Sequence, residues 1–176
     1  MKKYLKMLPV ILYPYAYLIY FLVYFFVSDA LPESERSQVI VALTVACHVV
    51  AFADAIYGAV NVARNKCTAH EAARMNLTIK AWQIPAYIFH FILGFLGLMM
   101  SVWGIGFIMF AIYIDVVTIA LTGINAIGCM VKMRKKGALS TVKAVLAVVG
   151  SFIFCVDVVI AIVLCFISRK TQENEI

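Results

Sequence analysis

The chain has 176 residues, of which 65% are hydrophobic and only 14% are charged, and its mean hydropathy is +0.99. A soluble domain is nearer half apolar and a quarter charged, so a soluble fold of this size could not cover so much apolar surface. The net charge of +6 comes from short clusters rather than one basic face, which excludes a nucleic-acid groove and predicts a single integral membrane domain over residues 1–176.

The first apolar run, residues 7–28, follows three lysines at the amino end: Lys2, Lys3 and Lys6. It is longer than the roughly 7–15 apolar residues of a secretory signal, so it predicts a first membrane-spanning helix. A short polar loop with three acids, residues 29–38, comes next. A second span is predicted over residues 39–62.

The stretch between the second and third spans, residues 63–83, is rich in Arg and Lys. Thr68 and Glu71 have the spacing of a capping box, which marks a helix start, and Trp82 is a residue type common at headgroup depth. This pattern predicts a short cytoplasmic interfacial helix. A third span is predicted over residues 84–103.

The longest apolar pattern, residues 84–131, exceeds one span, and Gly104-Ile105-Gly106 is its only plausible break. A fourth span is therefore predicted over residues 105–131. A basic cluster follows it, which is expected to face the cytoplasm and contact lipid headgroups: Lys132, Arg134, Lys135 and Lys136. A fifth span is predicted over residues 141–167, with its start at Ser140 or Thr141.

The distribution of Arg and Lys predicts the orientation. Twelve of them fall in segments assigned to the inner side and three in segments assigned to the outer side. The predicted fold class is therefore an all-α transmembrane bundle of five helices, with the amino end inside and the carboxyl end outside. Arg169 and Lys170 disagree with this assignment, because they would then lie outside.

Five histidine and aspartate residues lie inside the predicted spans. Counting 1.5 Å per residue from the assumed outer ends places His48, Asp115 and Asp157 near the bilayer midplane. The same count places Asp54 and His90 in a second layer about 10 Å nearer the cytoplasm. Asn61 and Asn125 are predicted at the inner ends of their helices.

These residues point to a binding site or a proton or ion path, because an ionised group in the bilayer is costly and usually has a partner or a function. The alternative is that each one only specifies helix packing through a hydrogen bond. The sequence has no HExxH, GxSxG or phosphate-binding loop and no Cys pattern typical of metal sites. We therefore expect no enzyme activity, no metal and no cofactor.

The second half of the chain resembles a group of small multi-helix membrane proteins from Gram-positive bacteria. The similar segments are MNLTIK leading into IPAY at residues 75–87, and FIFCVDVV in the last helix, which contains Asp157. The resemblance implies a membrane architecture and a role for Asp157, and it implies no particular activity.

Two functions remain open from the sequence. The first is a permeation site for a small solute or ion, with proton coupling as one form, formed around Asp115, Asp157 and His48 in the plasma membrane. Because one protomer of this size encloses little volume, a homo-oligomer or a partner membrane protein is expected. The second is a non-catalytic accessory or sensor subunit that binds a membrane protein or anionic lipid.

Overall fold

The structure, a computed structural model, describes residues 7–15, 32–64 and 67–173. Several sequence predictions lie outside these ranges: the second half of the first span (residues 16–28), residues 29–31 of the following loop, the three amino-terminal lysines and Lys66. The rest of that predicted loop is mostly helical, because the second helix begins at Glu33. The secondary structure of the described residues is helical.

Six α-helices occur in the described residues. They are α1 (residues 8–15), α2 (Glu33–Arg64), α3 (Ala69–Met99), α4 (Ile105–Lys135), α5 (Thr141–Gly150) and α6 (Val156–Glu173). A 3₁₀ turn, Ser101–Gly104, joins α3 to α4, which confirms the predicted break before Ile105. Three segments of the described chain are long and apolar enough to cross a membrane: Ser37–Arg64, Ala69–Met99 and Ser101–Lys135.

The predicted interfacial helix is part of α3. Thr68 and Glu71 form the predicted capping box, in which the Glu71 amide donates to Thr68 Oγ1 and the Thr68 amide donates to Glu71 Oε2. The helix then continues through Pro85 to Met99, so residues 69–83 form the start of a long helix and not a separate interfacial one. At 1.5 Å per residue α3 is about 46 Å long, which exceeds a hydrocarbon core of about 30 Å. Its first turns can therefore project beyond the core.

Where α3 turns into its antiparallel neighbour α4, the chain approaches itself closely at two glycines. A Cβ placed on Gly104 would lie 1.7 Å from the carbonyl oxygen of Gly97, so only glycine permits this close approach. Helix α2 packs against α4 in the same way, since a Cβ on Gly128 would lie 2.3 Å from the Ala59 carbonyl oxygen. We call the end where α3 begins and α4 finishes the basic end of the bundle.

The predicted fifth span, residues 141–167, is two helices rather than one. A helix starts at Thr141, one of the two predicted starts, and Ser140 caps it by accepting a hydrogen bond from the Lys143 amide. This helix, α5, ends at Gly150 after ten residues. Residues 151–155 form a turn, and Cys155 adopts a left-handed conformation with φ of 63° before α6 begins. Ten residues rise only about 15 Å, so α5 cannot cross a bilayer.

Helix α6 runs back toward the basic end. Its Asp157 pairs with Lys80 of α3, and eleven residues later Ser168 lies against His70, with 3.2 Å between Ser168 Oγ and His70 Nδ1. The α5–α6 hairpin (Thr141–Glu173) therefore enters and leaves the bundle at the same end. The prediction that the carboxyl end lies opposite the basic loops is corrected, because Arg169 and Lys170 follow Ser168 at the basic end.

Candidate functional site

The α3–α4 interface contains a continuous series of polar side chains. Along α3 they recur at intervals of four and three residues, which places them on one face of a helix. The facing side of α4 has the same spacing. All are buried except Asp115, which is partly buried. We call this set the polar seam: Asn76, Lys80, Gln83, Tyr87 and His90 of α3, and Asp115, Thr118, Thr122 and Asn125 of α4.

A fully buried ion pair lies near the centre of the seam. Lys80 Nζ donates to Asp157 Oδ2 at 2.7 Å and to Thr122 Oγ1 at 3.1 Å, and both charged side chains are 0% exposed. Thr122 donates in turn to the Thr118 carbonyl oxygen at 3.0 Å, which orients its hydroxyl oxygen toward the ammonium. The pair connects α3 to α6, two helices that are far apart in sequence.

The turn of the α5–α6 hairpin explains why Asp157 reaches this position. Asp157 lies in the first turn of α6, where the positive end of the helix dipole favours a carboxylate. Phe152 in the turn lies against Gly123 of α4, where an added Cβ would come within 2.6 Å of its ring. The aspartate is therefore held by Lys80, by a helix terminus and by the packing of the turn.

A second acid–base pair joins His90 of α3 to Asp115 of α4. His90 Nδ1 donates to Asp115 Oδ1 at 2.6 Å, and the two side chains are 3% and 16% exposed. A cavity of about 420 Å³ adjoins the pair, and its remaining lining is mostly apolar, with Phe91, Phe95 and Phe154 among its residues. This pair, unlike Lys80–Asp157, can be reached from a cavity.

The structure changes the predicted layers. His90 lies at the level of Asp115 rather than nearer the cytoplasm, because α3 ends at Met99, four residues before the predicted outer end of the third span. Asp157 lies level with Thr122, which is seven residues, or about 10 Å, farther along α4 than Asp115. The predicted depth of Asp157 assumes an unbroken fifth helix. In the structure Asp157 lies in the first turn of a separate helix, α6, so its depth differs.

His48 belongs to a different interface. Its Nδ1 donates to the Thr44 carbonyl oxygen at 2.7 Å, and its Nε2 faces the hydroxyls of Tyr13 at 2.9 Å and Tyr113 at 2.6 Å. These contacts join α2 to α1 and α4. His48 is near Asp115 in depth, since Tyr113 is two residues before Asp115 in the sequence.

A small cavity lies in the seam nearer the basic end. Asn76 and Asn125 both line it, its volume is about 10 Å³, and the side-chain amide atoms of both residues are buried without hydrogen-bond partners among the described residues. That volume is close to what one water molecule needs. Asn125 is thus inside the bundle, not at a helix end as predicted, because α4 continues ten residues beyond it.

The other predicted residues lie outside the seam. Asp54 is partly buried on α2, and its Oδ2 has no hydrogen-bond partner in the described part of the chain. Asn61 lies near the end of α2, as predicted. Within the basic cluster Lys132 is buried, whereas the other three residues are exposed.

The most important residue that sequence reasoning missed is Lys80. It was assigned to an interfacial helix because it lies in a segment rich in Arg and Lys. The signal that identifies it is the spacing of the polar residues on α3, which continues unbroken from Asn76 to His90 and includes Lys80. Thr122 follows the same rule on α4.

Comparison with known proteins gives no match: no family model, curated protein or solved structure is similar to this chain.

Proposed function

We propose that the protein is a membrane transport protein in which the polar seam forms the site for a small solute or ion, with His90 and Asp115 as its proton-exchanging pair. The observation that carries this proposal is the presence of two acid–base pairs in one bundle of apolar helices. Ionisable residues are rare inside membrane spans and usually mark a path or a binding site.

The His90–Asp115 pair has the chemistry that proton coupling requires. When Nδ1–H donates to a carboxylate, Nε2 remains as the nitrogen that takes up and releases a proton. Protonation of the imidazole changes the net charge beside the cavity. The charge of the pair would change from −1 to 0, so the site would lose its attraction for a cation, and solute and proton would compete for the same site.

The cavity beside the pair indicates the class of solute. Its lining combines three phenylalanines with one carboxylate. Aromatic faces attract cations, and the carboxylate adds a compensating charge. A small lipophilic cation fits this lining better than a sugar or a phosphate, because each of those needs several polar partners.

The Lys80–Asp157 pair has a different role in this proposal. It is sealed from solvent and its two charges neutralise each other, so it attracts no net charge to the seam. A buried ion pair specifies one arrangement of helices, because any arrangement that separated the two charges would leave each of them buried without a partner. We infer that it anchors the α5–α6 hairpin, a broken helical element at membrane depth of the kind found in transporters.

The membrane arrangement that we propose follows from these contacts. Helices α2, α3 and α4 cross the membrane, the α5–α6 hairpin is re-entrant, and the basic end faces the cytoplasm. One protomer encloses a cavity of only about 420 Å³ at the site, so a homo-oligomer would complete the path.

Flux measurements test the proposal. In liposomes that contain the purified protein, a membrane potential is expected to drive proton flux, and ethidium, a probe cation, is expected to alter it. Asp115→Asn is expected to lower the flux about tenfold or more, because the amide cannot exchange a proton at the site.

Asp54→Asn is the matched control, since it makes the same chemical change on α2 outside the seam, and it is expected to retain the flux. Equal flux in Asp115→Asn and the wild type would contradict the proposal. So would a complete lack of flux in folded wild-type protein for protons and monovalent cations.

A second function is a non-catalytic accessory subunit that binds a partner membrane protein. The observation that favours it is the sealed Lys80–Asp157 pair, because a bundle that only holds its shape needs no water-filled route to its acids. This function predicts no flux and recovery of a partner protein with the purified chain.

A further inference from the structure

A second large cavity lies on the outside of the bundle, between α3 and α6 near the basic end. Its volume is about 810 Å³, and the seam residues do not line it. Residues of α3 line one wall and residues of α6 line the other. We call it the α3–α6 groove.

The two ends of the groove differ in chemistry. At the end near the start of α3 lie two arginines, Arg74 and Arg169, together with His70. Away from this end the lining is apolar and includes Leu77, Ile162 and Phe166. The two arginines therefore lie at one end of the groove, and the apolar walls of the rest of the groove can contact a hydrocarbon chain.

The helical spacing explains this arrangement. On α3 the lining residues recur from Arg74 to Pro85 at intervals of three and four, and on α6 they recur in the same way from Ile162 to Arg169. The helices are antiparallel, so both arginines lie at the same end. From Arg74 to Pro85 the groove follows α3 for about 16 Å, a length suited to an extended chain.

We propose that the α3–α6 groove binds an anionic phospholipid, with the phosphate between Arg74 and Arg169 and an acyl chain along the apolar walls. Arginine donates two parallel hydrogen bonds to a phosphate, which gives a specific site rather than diffuse attraction. Anionic lipids are concentrated in the leaflet that basic segments face. The inference does not depend on transport through the seam.

The position of the groove gives the lipid a structural consequence. Its walls are the start of α3 and the end of α6, where His70 and Ser168 form the hydrogen-bonding contact between them. A phosphate held by one arginine from each helix would join the same two elements. The lipid is therefore expected to stabilise the packing of the α5–α6 hairpin against α3.

Native mass spectrometry tests the site directly. Purified protein is mixed with equal amounts of phosphatidylglycerol and phosphatidylcholine, and the lipid that remains bound is identified. The wild type is expected to retain one phosphatidylglycerol per chain in preference to phosphatidylcholine. Arg74→Gln with Arg169→Gln is expected to lower this retention about tenfold or more, as expected for the loss of charge-assisted hydrogen bonds.

The control removes the same charge elsewhere at the basic end. Arg134→Gln with Lys135→Gln changes two exposed residues of α4 and is expected to retain the lipid. If the double groove variant fails to fold, Arg74→Gln alone is expected to show a partial loss. Equal retention in groove and control variants would overturn the proposal, as would equal retention of both lipids or a groove covered by a second copy of the chain.

Discussion

Lys80→Met is expected to lower the free energy of unfolding by about 3–5 kcal/mol. The change leaves Asp157 as an uncompensated acid in a site with 0% exposure. Thr122 cannot replace the lysine as a donor, because its hydroxyl donates to the Thr118 carbonyl oxygen. The unfolding midpoint of the purified protein in detergent measures the loss.

Removing both charges is the decisive control. Lys80→Met with Asp157→Leu is expected to restore stability to within about 1 kcal/mol of the wild type, because replacing a whole buried pair by apolar residues is often neutral or favourable. Lys136→Met, at an exposed lysine, is expected to have no effect. If the double variant were as unstable as Lys80→Met, the loss of stability could not come from leaving Asp157 without its partner, and this explanation would be contradicted.

Cysteine labelling from one side of the membrane is expected to give an all-or-none result for the α5–α6 hairpin. Because α6 returns to His70, Lys170→Cys should react from the same side as Lys136→Cys. Trp103→Cys, at the opposite end of α3 and 86% exposed, should react only from the other side. The five native cysteines are replaced first.

The same experiment separates the two arrangements of the chain. A single fifth span over residues 141–167 would place position 170 on the side of position 103. Labelling of Lys170→Cys together with Trp103→Cys would therefore contradict the hairpin. Labelling of Lys136→Cys gives the reference for the basic end in every sample.

The parts of the fold that could be predicted from the sequence are those controlled by local interactions. The Thr68–Glu71 cap, the break before Ile105 and the helix start at Ser140 or Thr141 each depend on residues within one turn, and the structure confirms them. The membrane character follows from composition alone, which the three long apolar helices support.

The break between α5 and α6 could not be predicted in this way. No proline occurs in residues 141–167, and hydropathy is continuous across the turn. The turn depends on tertiary contacts: Phe152 fits against Gly123, Asp157 binds Lys80, and Cys155 adopts a positive φ. A hydropathy pattern contains none of this information.

The candidate site was predicted in part for a related reason. Asp115 and Asp157 were recognised because an acid in an apolar helix is conspicuous, and both prove to be paired. Their partners, His90 and Lys80, lie on α3, and which residues pair depends on the register between helices. The depth of a residue in the membrane is counted from the end of its helix, so it is correct only when that end is predicted correctly. The predicted ends of the third and fifth spans differ from the helix ends in the structure.

The most direct test of the central claim is proton flux through the variant that carries both Lys80→Met and Asp157→Leu, measured beside Asp115→Asn in the same liposomes. The neutralised variant retains His90, Asp115 and their cavity, so we expect it to conduct protons at close to the wild-type rate while Asp115→Asn does not. Flux that persists in Asp115→Asn, or that disappears in a neutralised variant of wild-type stability, would contradict the assignment of His90–Asp115 as the proton-exchanging pair.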